Sequence, residues 1–262
     1  MSKLLIALRW YAVLFLLPLA LHGAWWMSKD HPASWGRADW SSARLLQPAS
    51  ATREASVRVF SAPAGRWKGL FSHHTWIVVK EKGASQYTRF DVVGWGRPVR
   101  TNGWVPDGRW YGNTPELVAA VEGPVAERLI PKIRAAIAGY PHAGLGDYRV
   151  WPGPNSNTFV ASILAAIPEA GIVLPSNAIG RDFRDRLFFA GLSPTRTGIQ
   201  ISALGLFGLT IAWQEGIELN VLGLVAGVDI RRLAVKLPGW GPLSLVPWSS
   251  ADKSLSDSSR AA

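Results

Sequence analysis

The sequence predicts an α+β domain, an antiparallel sheet with packed helices, set behind one N-terminal membrane helix. Three observations lead there. Trp10 to Met27 is apolar apart from His22, which suits a bilayer span. From Ala55 onward, short runs of β-forming residues are separated by Gly and Pro. Phe159, Ile163 and Ile167 then recur at helical spacing beside Val160 and Leu164. They follow Pro152-Gly153-Pro154, which cannot be helical, and three good capping residues, Asn155, Ser156 and Asn157.

Composition narrows the function classes. At 262 residues and 48% hydrophobic the chain can bury a proper core. Its net charge is +10, yet Arg and Lys are scattered from Arg37 to Lys253 with no extended basic run. Such a diffuse surface fits anionic lipid or cell-wall polymer rather than nucleic acid. The absence of Cys excludes disulfides, thiolate metal sites and a cysteine nucleophile, and five His without a spaced cluster predict no metal and no cofactor.

Taken in order, Lys3 and Arg9 precede the apolar run, and Trp25 and Trp26 mark its far interface. No small-x-small site follows it, which argues for an uncleaved anchor over a signal peptide. The leading positive charges predict an N-terminus inside and the rest outside, in a bacterium the periplasm. Residues 28–54 show no sustained period and read as a tether. "ASVRVFSA" from Ala55 suits a strand, and "HTWIVVK" with Tyr87 to Val93 suits a hairpin turning at Lys82-Gly83, with His73 and His74 at its start. The Gly-, Pro- and Trp-rich run 94–114 either staples itself or lines a groove. "PELVAAVEG" suits a third strand, followed by a helix from Pro124 to Gly139 that Pro131 interrupts. "GDYRVWPG" reads as a further short strand, 169–183 as irregular, and 198–230 as a hairpin turning at Gln214-Glu215-Gly216.

"HTWIVVK" (74–80), "DYRVWPGPNSNTFV" (147–160) and "LPSNAIGRDF" (174–183) resemble a bacterial family known only as a domain of unknown function, found in membrane-anchored proteins of Proteobacteria. More distantly, His74 in "HTWIVV" and Ser156 in "NSNTFV" resemble the His-strand and nucleophile-helix motifs of circularly permuted papain-like hydrolases of the NlpC and PPPDE types, with Ser where those carry Cys. The resemblance implies a permuted papain-like core over 55–196 with anchor 1–27, tether 28–54, a β-rich C-terminal hairpin extension over 197–248, and a disordered tail over 249–262. It also implies Ser156 as nucleophile, His74 as base and backbone N–H groups near Asn157 as oxyanion donors. Asp91, Arg89 or Thr88 would orient His74, and Asp91 is chemically best because a carboxylate also stabilises a charged imidazole. Because a Ser hydroxyl needs its proton removed where a thiolate does not, the groove reads first as a non-catalytic envelope-binding site, with a Ser/His hydrolase or acyltransferase acting on an envelope amide or ester as the alternative. Asn155, Asn157, Trp76, Trp104 and Trp110 would then hold peptidoglycan or lipid.

Overall fold

In the computed structural model, which describes residues 2–245, one continuous apolar helix spans Lys3–Met27 with a π-helical turn at Ala12–Leu16. It begins at Lys3, where Ser2 caps it, its hydroxyl accepting from the Leu5 N–H. The helix is long and apolar enough to cross a membrane. Its second half is docked on the rest of the chain. Phe15 and Trp26 are buried, the Trp240 indole donates to the Pro18 carbonyl at 2.9 Å, and His22 Nδ1 lies 2.8 Å from the Leu70 carbonyl. Residues 28–54, expected as a tether, fold back instead: Trp35, Trp40 and Leu46 pack on the first sheet's aromatic face, and Ser42 bridges to Gly108.

The first sheet is antiparallel, in the order β4-β3-β2-β1-β5, with β1 at Ser56–Pro63, β2 at His73–Lys80, β3 at Thr88–Val92, β4 at Val99–Thr101 and β5 at Glu116–Glu122. The run 94–114 therefore contributes a short edge strand as well as a loop. Period-two alternation sorts β1 and β2 onto two buried faces. Val57, Val59, Ile77, Val79, Phe90 and Val92 pack under the helices Gly123–Ala138 and Ser156–Ala165. Phe60, Ala62, Trp76 and Val78 form the opposite, tryptophan-rich face with Trp110. The helix Gly123–Ala138 continues through Pro131 and is capped by Gly139, as its apolar stripe of Ala126, Leu129, Ile130 and Ile133 requires.

Two expectations are corrected. "GDYRVWPG" forms no strand; it is an irregular loop closed by Arg149 N–H to the Pro154 carbonyl at 2.8 Å and tied by the Trp151 indole to the Leu222 carbonyl at 3.1 Å. The C-terminal hairpin is part of a second, seven-stranded antiparallel meander in the order β12-β11-β10-β9-β8-β7-β6. Its strands run from β6 at Phe189–Leu192 through β7 at Gly198–Ala203, β8 at Phe207–Ala212, β9 at Gly216–Val221, β10 at Leu224–Asp229 and β11 at Ala234–Leu237 to β12 at Gly241–Ser244. Each turn is tight, and Gly216 and Gly223 adopt φ +78° and +86°, conformations open to glycine and costly for other residues. Trp248 and the tail from Ser249 lie outside the described residues.

Ile163 is fully buried between helix and sheet. Ile163→Ala is expected to lower the unfolding free energy by about 2–5 kcal/mol through lost burial and a residual cavity, read from denaturant unfolding of the full chain.

Candidate functional site

Asn155 ends the loop and starts the helix. Its Oδ1 accepts from the Asn157 N–H at 2.9 Å and the Thr158 N–H at 3.2 Å, and the Thr158 hydroxyl accepts from the Asn155 N–H at 3.2 Å, a complete capping box. Its Nδ2 donates to the carbonyls of Val150 and Ile179, both at 3.1 Å. Asn157 is equally committed: its Oδ1 accepts from the Thr75 hydroxyl at 2.9 Å, and its Nδ2 donates to the His73 and Ile179 carbonyls, each at 2.8 Å. These bonds fasten the helix mouth to the start of β2 and to segment 174–183. Gly180 makes that close approach feasible, since a Cβ there would stand 2.3 Å from Asn155 Nδ2 at φ +99°.

His74 lies across the sheet. Residues alternate along β2, so Thr75 faces the helix while His74, with Trp76 and Val78, faces the tryptophan cluster. The His74 ring stacks face to face on Trp110, centroids 3.7 Å apart and 7° from parallel. Its Nε2 stands 3.8 Å from Asp91 Oδ2. That same oxygen accepts from Arg89 Nε at 2.9 Å and Nη2 at 2.7 Å. Arg89 is fully buried, lies 4.1 Å over the Trp76 ring and donates Nη1 to the Val105 carbonyl at 3.0 Å. An opposite charge in direct contact is what lets both ions stay underground. Burial lowers the His74 pKa, Asp91 pulls it back up, and the Arg89 and Lys68 charges lower it further. The imidazole is therefore neutral at neutral pH.

The two motifs meet at the end of β2. A cavity of about 370 Å³ is lined by His74, Trp110, Asn155, Ser156 and Asn157, together with apolar side chains that include Tyr148, Trp151, Ile179 and Leu222. Ser156 and His74 share this space without a hydrogen bond between them among the described residues. Asp91 stands behind His74, outside the lining.

Several sequence expectations are displaced by these contacts. Trp76 is fully buried with its indole donating to the Pro106 carbonyl at 2.8 Å, and neither it nor Trp104 lines the cavity. Asn155 and Asn157 reach the cavity, but their amides are spent on the fold. The Asn157 N–H is taken by the cap, which removes it as an oxyanion donor; the Ser156 N–H carries no hydrogen bond among the described residues. Arg89, weighed only as an orienting group, is the counter-charge of Asp91. Lys68, Trp151, Ile179 and Leu222 were not anticipated as lining; only the resemblance over 174–183 pointed toward Ile179. No cluster of potential metal ligands occurs among the described residues.

Residues 54–183 match the model of DUF3750, a family described as a protein of unknown function. That segment, a DUF3750 domain, holds the first sheet, both packed helices and the cavity's capping loop, and stops before β6. No curated protein and no solved structure matches the chain.

In the cavity wall, burial lowers the pKa of His73 to about 4. The unfolded chain therefore binds a proton that the folded one refuses between about pH 6.5 and 4. Stability should fall as pH drops through that window, by at most about 3 kcal/mol from this group, and level off below it. Thermal unfolding against pH should show a shallower slope in His73→Gln.

Proposed function

We propose that the N-terminal helix anchors the chain in a bacterial inner membrane with the remainder on its periplasmic side, and that the cavity binds an amphiphilic envelope component without chemistry. Lys3 and Arg9, in the first turns of the helix ahead of its apolar run, support the orientation. The observation that carries the binding reading is the cavity wall. Phe71, Val92, Tyr148, Trp151, Ile179 and Leu222 offer an acyl chain apolar surface, and Ser156, His74 and Lys68 offer a head group a few polar contacts. Peptidoglycan needs many hydrogen-bond partners, and the amides that could have supplied them are saturated, which favours lipid.

A permuted papain-like arrangement of 55–196 is supported by chain order, a histidine opening a strand ahead of a hydroxyl opening a helix, and by the contact of that helix with β2. Fold analogy alone does not carry an activity. A second reading, Ser/His hydrolysis or acyl transfer on an envelope ester or amide, is favoured by one feature, the neutral His74 with Nε2 turned toward Asp91. The Ser156 hydroxyl would then attack the acyl carbon, its proton passing to His74 Nδ1 and on to the leaving alkoxide or amine. The Ser156 N–H at the helix mouth would stabilise the oxyanion, and water would release the acyl group by the reverse proton path. Against it stand the missing Ser156–His74 hydrogen bond and the Asp91 charge already neutralised by Arg89.

Two measurements decide. In nanodiscs, full-length protein exposed to a phospholipid with a photoactivatable acyl chain should be labelled around Tyr148, Trp151 and Ile179, and Ala64→Trp, which fills the cavity, should abolish that labelling. Labelling confined to the N-terminal helix would refute the binding reading. A serine-directed fluorophosphonate should leave the wild type unmodified; modification that disappears in Ser156→Ala would establish the catalytic reading instead.

A further inference from the structure

The seven-stranded sheet is inside out. Its inward side chains are polar: Gln200 donates to Asp182 Oδ1 at 3.0 Å, Asn220 to Asp182 Oδ2 at 3.1 Å, and Glu218 pairs with both Arg181 and Lys236. Its outward side chains are apolar and exposed. The register stacks Ile199, Ile211 and Ile217 in one row and Ile201, Leu209 and Leu219 in the next, each crossing β7, β8 and β9. All six are at least 40% exposed. Contiguous apolar surface of this kind marks a membrane or partner contact.

We infer that this face is embedded in the lipid leaflet beside the N-terminal helix. Depth is the argument that selects lipid. A hydrocarbon core of about 30 Å takes about 20 helical residues. Every such window within Lys3–Met27 contains residues 8–22. The sheet touches the helix inside that window: β10 packs against Ala12–Leu16, and Trp240, in the turn between β11 and β12, is bonded to the Pro18 carbonyl. A sheet fixed to the middle of a membrane helix cannot stand clear of the bilayer. Its apolar rows then meet acyl chains, its inward charges face the rest of the protein, and the net charge of +10 suits anionic head groups around it.

The inference rests on the anchor proposed above, so the test reads the two separately. The chain has no cysteine, which makes single-cysteine variants of the full chain unambiguous. Leu209→Cys, Ile217→Cys, Leu8→Cys on the helix and Lys82→Cys on a water-facing turn are each labelled with an environment-sensitive fluorophore. They are reconstituted in phosphatidylcholine/phosphatidylglycerol vesicles. Emission at 8, 209 and 217 should be lost to lipids brominated along the acyl chain and resist aqueous iodide, and position 82 should behave oppositely. Quenching by lipid at 8 but not at 209 and 217 overturns the inference and leaves the anchor standing, whether those two positions are open to iodide or shielded by a second copy. No lipid quenching at 8 overturns both.

Discussion

The Asn157 side chain is the bolt on which the arrangement of the site depends. It accepts one hydrogen bond and donates two, and its three partners lie on β2 and in segment 174–183. Each bond has a modest net value of about 1 kcal/mol, but an orphaned buried amide or carbonyl costs its full desolvation. Replacing Asn157 therefore strands partners on two other elements at once. Because the segment it holds continues into Arg181 and Asp182, which occupy the inner face of the second sheet, the same bolt transmits position from the first sheet to the second.

This fastening explains how Ser156 and His74 border one cavity although helix and histidine belong to opposite faces of the sheet. On the tryptophan face, His74 is held by stacking and by the Asp91–Arg89 pair rather than by a partner in the cavity. The pair solves an electrostatic problem: a fully buried carboxylate alone would be too costly, and Arg89 both neutralises it and stacks on Trp76. The outcome is a rigid, neutral imidazole beside an unbonded hydroxyl. That is serviceable for binding the polar end of an amphiphile.

Much of the fold was legible because burial writes a period into the sequence. β1 and the β2–β3 hairpin, the third strand and both packed helices carry that period, and the cap at Asn155 announces its helix. The second sheet was under-read because alternation marks two faces without saying which is wet; its polar residues Gln200, Thr210, Glu218 and Asn220 are on the buried side. Trp35 and Trp40 in 28–54 belong to no periodic run, so their return to the aromatic face was not visible. In the site, the positions of His74 and Ser156 at a strand start and a helix start were readable. The saturation of the Asn155 and Asn157 amides was not, since it depends on carbonyls of Val150, His73 and Ile179 brought in by tertiary structure.

A neutral histidine and an unbonded serine border an apolar space that we propose takes an acyl chain. A crystal structure of the full chain grown with a long-chain acyl amphiphile decides this. The acyl chain is expected between Tyr148, Trp151 and Ile179 with its head group against Ser156 and His74. A cavity closed by side chains, with the amphiphile bound elsewhere, would contradict it.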